Sequence, residues 1–390
     1  MAERRSPVRI GVVAGEVSGD LLGAGLIRAL KKRLPDARFE GVCGEHMEAE
    51  GCRSMFPMEW LSIIGLVEAV GKYPQIHWMR RDLIRHFLSD PPDLFVGIDV
   101  PDFNLGLERR LRAAGIPTVH YVSPTVWAWR SYRIHKIKKA VDHMLTLFPF
   151  EARYYEKQSL PVTFVGHPLA DQIGEHIDPA EVRVRLGLPT DATMIALLPG
   201  SRMNELRRHA DLFVKTALWL YRRNTTLSFV VPLVSSEIRD MFEQALKRNK
   251  AEHLPLTLLD GQSRDAMAAG DVVVLASGTA ALEAALLHRL MVVTYKVSFI
   301  TYVLVKMFAH IKLYSLPNNL LGRELVPELI QTDAVPEKLG AAVENYLNNP
   351  EKAQAIIAEL RQIGAQLRKG ADDRAAEAVM GVLQAHAEKA

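Results

Sequence analysis

Short apolar runs alternate with amphipathic stretches along the 390-residue chain, and this alternation limits the possible folds more than any other feature. The first run, Val8–Ala14, is typical of a buried strand, and Asp20–Leu34 then places its apolar residues at helical spacing. Strands are also predicted at Leu94–Ile98, Thr118–Val122, Met144–Phe148, Met194–Leu198, Leu227–Leu233, Leu256–Leu259, Val272–Leu275 and Met291–Tyr295. Since strands that alternate with helices form parallel sheets covered on both faces, the sequence predicts an α/β fold.

The series of strands and helices starts again after a join near His167–Pro189, which three prolines punctuate. Two series predict two doubly wound, Rossmann-like domains facing a cleft, which we place at residues 1–170 and 171–350. Residues 351–390 are rich in Ala, Glu, Lys and Leu and predict a C-terminal helical tail. Because ligands of such sheets bind at the carboxyl ends of the strands, the loops there are where we expect chemistry.

Charge and cysteine content exclude several classes of protein. The net charge of +3 is too small to indicate nucleic-acid binding. Cys43 and Cys52 are the only cysteines, too few for a disulfide framework or a zinc site, and they favour a reducing cytoplasm. The basic N-terminus is not followed by the apolar core of a signal peptide. Met291–Leu313 is long enough to span a membrane, but it contains three lysines and a histidine, so we predict no span.

Two loops of the first domain carry candidate polar residues. In AGEVSGD, the helix-start amides, with Ser18 nearby, could hold an anion, or Ser18 could simply cap the helix. The glycine spacing there does not match a dinucleotide fingerprint. In GIDVPDFN, Asp99 or Asp102 could serve as a general base while the other caps the next helix. The loop offers too few ligands for a metal.

A third stretch, His120–Lys139, combines two tryptophans with a basic run. Trp127 and Trp129 suit sugar rings or a membrane interface, and the cations suit phosphates. The basic run consists of Arg130, Arg133, His135, Lys136, Lys138 and Lys139. The alternative is a solvated basic helix face beside two core tryptophans.

The second domain carries two helix starts that are suited to anions. LLPGSRMNEL offers the forked guanidinium of Arg202 to a diphosphate. ASGTAALE presents the amides of Ser277, Gly278 and Thr279, with Glu283 placed to accept hydrogen bonds from ribose hydroxyls. Each could also be an ordinary capped helix, with Glu283 as a favourable dipole charge. Together they suggest a sugar nucleotide, which carries both a diphosphate and a ribose.

The segment Leu61–Arg85 combines apolar and basic residues in a way typical of a membrane interface. As a helix, Leu61–Pro74 would be about 21 Å long, too short for the ~30 Å hydrocarbon core. The predicted membrane-facing residues are Ile63, Ile64, Leu66, Val67, Val70 and Tyr73. The alternative is a helix packed on its own domain.

Seven motifs together resemble the bacterial lipid-A-disaccharide synthases. They are AGEVSGDLLGAGLIRAL at 14–30, GIDVPDFN at 97–104, HYVSPTVWAWR at 120–130, FVGHPLAD at 164–171, LLPGSR at 197–202, ASGTAALE at 276–283 and SLPNNLLGRELVPELIQ at 315–331. They extend over nearly the whole chain, and YVSPTVWAWR beside IDVPDFN is highly specific.

The resemblance implies a two-domain GT-B glycosyltransferase that is inverting and uses neither a metal nor another cofactor. It implies UDP-2,3-diacylglucosamine as donor and 2,3-diacylglucosamine 1-phosphate as acceptor. The products would be the β(1→6) tetraacyl disaccharide 1-phosphate and UDP. Such enzymes are cytoplasmic and peripheral to the cytoplasmic face of the inner membrane. Whether this chain forms a homodimer stays open, as does its preference for acyl-chain length.

The same resemblance implies roles for individual residues. The catalytic aspartate falls on Asp99. The residues expected to bind UDP are Arg202, Ser277, Gly278, Thr279, Glu283, Asn318 and Asn319. The residues expected on the side of the acceptor or its phosphate are Glu16, Ser18, Asp102, Trp127 and Arg130. Met203–Glu205 receives no role.

Two other functions stay as alternatives. One is a different GT-B enzyme acting on UDP-N-acetylglucosamine, of the murein transferase or 2-epimerase type, although those lack the WAW loop beside IDVPDFN. The other is a non-catalytic lipid-binding scaffold, which would need no carboxylate in the cleft and would release no UDP.

Overall fold

The computed structural model describes residues 7–61, 66–124, 133–174, 177–276, 278–297 and 313–388, except for the side chains of 66–73. The chain forms two compact units. One consists of Met1–Asp171 together with Leu367–Ala390, and the other of Gln172–Gln366.

The first unit contains a parallel sheet with the strand order β3-β2-β1-β4-β5-β6-β7. Its strands are β1 (Arg9–Ala14), β2 (Arg38–Val42), β3 (Cys52–Ser54), β4 (Leu94–Ile98), β5 (Thr118–Tyr121), β6 (His143–Thr146) and β7 (Val162–Phe164). Strand β4 is buried throughout, as its apolar sequence requires. Cys43, next to β2, and Cys52, the first residue of β3, are joined by a disulfide, which the expectation of reduced cysteines did not include.

Helices connect these strands in the right order for a doubly wound unit. They are α1 (Val17–Arg33), α2 (Glu45–Ala49), α3 (Leu66–Ser89), α4 (Pro101–Ala113), α5 (Ile134–Ala140), α6 (Pro149–Glu156) and α7 (Pro168–Gln172). Helix α4 begins with Pro101, whose fixed φ suits the first helical position. Because β4 precedes α4 directly, the loop that carries Asp99 lies at the carboxyl end of a central strand.

The second unit contains a parallel sheet with the order β10-β9-β8-β11-β12-β13. Its strands are β8 (Thr193–Leu198), β9 (Leu227–Leu233), β10 (Leu256–Asp260), β11 (Val272–Ala276), β12 (Leu290–Tyr295) and β13 (Glu328–Ile330). Its helices are α8 (Pro179–Leu186), α9 (Met203–Arg223), α10 (Ser236–Arg248), α11 (Ser263–Ala269), α12 (Thr279–Leu286), α13 (Leu316–Leu321), α14 (Pro336–Asn348) and α15 (Pro350–Leu367). The expectation of two doubly wound parallel sheets is confirmed.

The last helix, α16 (Ala371–Ala387), belongs to the first unit. Its buried face is made of small side chains, including Ala371, Ala375 and Ala376. This face lies on α1, where a Cβ atom at Gly25 would stand 2.3 Å from the Asp372 carboxylate. The predicted tail at 351–390 is therefore divided, because α15 stays with the second unit while α16 completes the first.

Among the described residues, no helix is long and apolar enough to cross a membrane. The segment Met291–Leu313, which we judged not to span, begins with β12, and its residues 298–312 lie outside the described part of the chain.

Candidate functional site

Two strand-end loops of the first unit are in direct contact. Strands β1 and β4 are neighbours, with Ala14 opposite Ile98. A Cβ atom at Gly15 would stand 2.3 Å from the Val100 Cγ2 atom. Only glycine therefore lets the AGEVSGD loop lie against the loop that carries Asp99.

Asp99 has a strained backbone that the fold holds in place. Asp99 and Val100 have backbone φ values of +54° and +42°, which residues other than glycine rarely adopt. The Asp99 N–H donates to the carbonyl oxygen of Tyr121 at 2.8 Å, and the buried Asn104 amide donates to the Asp99 carbonyl oxygen at 2.8 Å. The Asp99 side chain is half-exposed and has no ion pair with any described residue. A general base needs this combination of a fixed backbone and an available carboxylate.

Asp102 has a different environment. Its exposed carboxylate accepts a hydrogen bond from the Arg133 guanidinium at 2.6 Å. Residue Val100 occupies the N-cap of α4 and no side chain caps this helix, so neither aspartate has the capping duty that the sequence left open. Asp102 is thus a partner of Arg133.

A carboxyl–imidazole pair lies beneath the Asp99 loop. Glu108 on α4 and His120 on β5 are fully buried, and the Glu108 Oε1 atom lies 2.7 Å from the His120 Nδ1 atom. Burial raises the pKa of Glu108. A Cβ atom at Gly97 would stand 2.1 Å from the Glu108 carboxylate, so Gly97 makes room for the pair. Sequence reasoning missed this pair, although a glutamate on the apolar face of α4 was the available signal.

In the AGEVSGD loop, Glu16 and Ser18 are exposed at the start of α1, and neither caps the helix with its side chain. Asp20 is buried and accepts N–H groups from Gly44, His46 and Met47 at 2.9, 2.9 and 3.1 Å. Its carboxylate thereby holds the start of α2. The remaining predicted acceptor-side residues, Trp127 and Arg130, lie outside the described residues.

The second unit has a cavity of about 450 Å³ at the carboxyl ends of its central strands. The predicted residues Arg202, Gly278, Thr279 and Glu283 all line it. The rest of the lining is Leu198, Gly200, Ser201, Glu205, Pro232, Val234, Ser263, Ala276 and Ala280. Ser277 lies outside the described residues. The two helix starts that the sequence marked for anions therefore share one cavity.

Glu205, to which we assigned no role, organises one wall of this cavity. Its carboxylate accepts the N–H groups of Ser201 and Arg202 at 3.3 and 3.4 Å, and the Tyr295 hydroxyl at 3.4 Å. Gly200 has φ +119°, and a Cβ atom there would stand 2.8 Å from Glu205. The available signal was an acidic residue three positions after the N-cap Arg202, as in a capping box.

Glu283 is a second acidic residue that lines the cavity. Burial raises the pKa of its carboxyl group, and Arg264, 3.6 Å away, opposes that effect. A half-buried carboxylate with one nearby cation retains oxygen lone pairs for a polar ligand.

The Asn318–Asn319 region does not line this cavity. The buried Asn318 amide donates to Glu328 at 2.7 Å and to the carbonyl of Val326 at 2.9 Å, and its oxygen accepts the Leu325 N–H at 2.8 Å. Asn319 donates to carbonyls of its own turn. Because these bonds use the amide of Asn318, this residue shapes its own loop, and nucleotide contact by Asn318 and Asn319 stays a prediction.

The proposed membrane segment is described only in part. Leu61 is buried and Met79 is fully buried, so these two residues of the segment belong to the core, whereas Trp78 is 48% exposed. Ile63 and Ile64 lie outside the described residues, as do the side chains of Leu66, Val67, Val70 and Tyr73.

A family model and two curated relatives that match this chain carry closely similar descriptions. The model of the family described as lipid-A-disaccharide synthetase matches residues 10–382. A lipid-A-disaccharide synthase of Hahella chejuensis is 48% identical over 378 residues, which cover 97% of this chain and 95% of that protein. The one from Aeromonas hydrophila is 49% identical, covering 97% and 99%.

Solved structures agree in fold at low sequence identity. UDP-GlcNAc 2-epimerase from Neisseria meningitidis, bound to UDP-GlcNAc, has a TM-score of 0.63 at 12% identity and covers 97% of this chain and 100% of its own. The glycotransferase of kitacinnamycin has a TM-score of 0.62 at 16% identity with the same coverage. These confirm the GT-B class of fold. Because both the family model and relatives at nearly half identity span almost the whole sequence, the chain belongs to the lipid-A-disaccharide synthetase family.

Proposed function

We propose that the protein transfers 2,3-diacylglucosamine from its UDP derivative to 2,3-diacylglucosamine 1-phosphate. The products are the β(1→6)-linked tetraacyl disaccharide 1-phosphate and UDP. The observation that carries the proposal is the cavity of the second unit, where Arg202, the start of α12 and Glu283 lie together. A diphosphate and a ribose need these groups.

In the first step of the proposed reaction, the Asp99 carboxylate takes the proton from the primary hydroxyl of the acceptor. The freed oxygen forms a bond to the anomeric carbon of the donor as the bond from that carbon to the UDP oxygen breaks. The electron pair of the broken bond leaves with UDP. A single displacement turns an α-linked donor into a β-linked product.

The developing charge on UDP needs stabilisation in the transition state. Arg202 and the amides at the start of α12 line the cavity and can supply it. Glu205 keeps the turn before α9 in shape by accepting two of its amides. Glu283 accepts hydrogen bonds from ribose hydroxyls in this scheme.

The direct test is incubation of the protein with the UDP-linked donor and the phosphorylated acceptor, followed by mass analysis. We expect the disaccharide 1-phosphate and one UDP per transfer. Turnover of UDP-N-acetylglucosamine without use of an acylated acceptor would favour a different GT-B reaction. Lipid binding with no release of UDP would favour the scaffold alternative.

Replacing Arg202 or Glu283 with alanine should weaken UDP binding even without acceptor. Charge-assisted hydrogen bonds are worth about 1.5–3 kcal/mol each, which corresponds to a 10- to 150-fold loss of affinity. Calorimetric titration of UDP measures this, with Arg207→Ala as the control because Arg207 is an exposed cation one turn further along α9. Equal UDP affinities in all three variants would show that the nucleotide does not bind in this cavity.

Chelators should not change the activity of the protein. Loss of activity with EDTA that magnesium restores would contradict a metal-free reaction.

We also propose that the protein works at the cytoplasmic face of the inner membrane, since both substrates carry acyl chains. Changing Ile64, Leu66, Val67 and Val70 to serine should then release the protein from anionic vesicles without unfolding it. A packed helix would respond oppositely, because four buried apolar losses would cost several kcal/mol and lower the melting temperature. Vesicle sedimentation and thermal melting of the same variant distinguish the two outcomes.

A further inference from the structure

A second polar cavity lies in the first unit, beside the loop that carries Asp99. It measures about 460 Å³, a size that suits a small ligand, and lies along helices α4 and α5. We call it the basic groove; its lining is Pro101, Asp102, Leu105, Gly106, Arg109, Arg133, His135, Lys136 and Lys139. The proposed mechanism does not use the cations of this groove.

The basic groove carries strong, uncompensated positive charge. Among the described residues that line it, four are permanent cations and Asp102 alone is a carboxylate. Asp102 is already paired with Arg133. Arg109, Lys136 and Lys139 form no ion pair or side-chain hydrogen bond with any described residue, and the neighbouring undescribed residues 125–132 contain no Asp or Glu. Converging cations without a protein counter-charge are suited to an anionic ligand.

A further cation is fitted against the wall of the groove. A Cβ atom at Gly106 would stand 2.9 Å from the Arg80 guanidinium, so this glycine lets Arg80 lie against α4. Arg80 also donates to the carbonyl oxygen of Asp102 at 3.4 Å. Asp102 thus binds Arg80 through its carbonyl oxygen and Arg133 through its carboxylate. These two bonds orient two guanidinium groups at one end of the groove.

The position of that end suggests the ligand. Asp102 is three residues after Asp99, so at most about 11 Å separates their Cα atoms. In the proposed reaction, which this inference assumes, Asp99 faces the primary hydroxyl of the acceptor and a phosphate stands across the same sugar ring. A phosphate monoester carries a charge of about −1.5 to −2 near neutral pH. The two phosphates of the donor already have partners in the other unit.

We propose that the basic groove binds the phosphate monoester of the acceptor. Arg133 and Arg109 supply forked donors, and Lys136 and Lys139 supply point charges. A concave site with an orienting carboxylate suits one phosphosugar headgroup, whereas attraction to a flat bilayer needs no cavity. The groove would therefore set the affinity for the acceptor.

The test is steady-state kinetics of the double variant Lys136→Ala with Lys139→Ala, with substrates supplied in detergent micelles. Each charge-assisted bond to phosphate contributes roughly a factor of ten in affinity. We expect KM for the phosphorylated acceptor to rise about 100-fold, with little change in kcat or in KM for the donor. Lys138→Ala is the matched control, because Lys138 lies on the same helix but lines a different cavity.

An acceptor that lacks the phosphate separates charge recognition from general damage. The wild-type KM for it should already be high, and the double variant should not raise it further. An equal rise for both acceptors, or an equal effect of Lys138→Ala, would overturn the proposal. The proposal would also be overturned if the double variant lost binding to phosphatidylglycerol vesicles while its KM in micelles stayed unchanged. That result would assign the cations to a bilayer headgroup. Absence of transfer by the wild-type protein with either acceptor would instead refute the proposed function.

Discussion

Replacing Asp99 with asparagine is expected to slow disaccharide formation about 10²- to 10⁴-fold, the usual cost of removing a general base. Asparagine has the same shape and tolerates a left-handed backbone, so the strained turn at φ +54° should persist. The cavity expected to bind UDP lies in the other unit, and UDP affinity should therefore stay close to that of the unchanged protein. Turnover at saturating substrate, together with UDP titration, measures both.

Asp102→Asn is the matched control for this experiment. It removes a carboxylate of the same loop that is engaged with Arg133, and we expect a smaller effect that falls on KM for the acceptor. Near-normal turnover in Asp99→Asn, together with a collapse in Asp102→Asn, would show that the base is the other aspartate.

Replacing Glu108 with alanine should give the largest loss of stability. Removing one partner of a fully buried pair costs about 3–5 kcal/mol, because the other partner is left without compensation. For a unit of this size each kcal/mol lowers the melting temperature by about 2–4 °C, so we expect a fall of roughly 6–20 °C. Thermal melting followed by circular dichroism checks the figure.

A double-mutant cycle separates the pair from its surroundings. Glu108→Leu combined with His120→Phe replaces both polar groups with apolar ones and should be much less harmful than Glu108→Ala alone. If Glu108→Ala melted like the unchanged protein, or if the double variant lost as much stability as the sum of its single variants, the pair would not be coupled as its 2.7 Å contact implies.

The sequence predicted the strands whose residues are buried on both faces, because continuous apolar runs such as Leu94–Ile98 have no other common explanation. It missed β2, β3, β7 and β13. Three of these are only three residues long, and β2 reads RFEGV, so they bury too few side chains to produce a pattern. These four strands form because neighbouring strands of the sheet supply their hydrogen-bond partners. A short stretch of sequence does not show which strands will be neighbours.

The residues of the candidate site show the same contrast between local pattern and tertiary contact. Residues that directly follow a buried strand or its turn, such as Asp99 and Arg202, could be placed at the carboxyl end of a parallel sheet from the sequence alone. Glu205 and the Glu108–His120 pair could not, since their roles depend on which atoms lie opposite them in three dimensions. Asn318 shows the same limit from the other side: the motif marked its amide, but the sequence did not show that this amide bonds within its own loop.

The return of α16 to the first unit has a consequence for synthesis. The side of α1 that contacts α16 acquires this cover only when residues 371–387 have left the ribosome. By then the whole of Gln172–Gln366 has been made, which takes roughly 10–40 s at about 5–20 residues per second. The later-made unit can therefore reach its final form before the earlier one, and this side of α1 stays uncovered on the nascent chain throughout that interval.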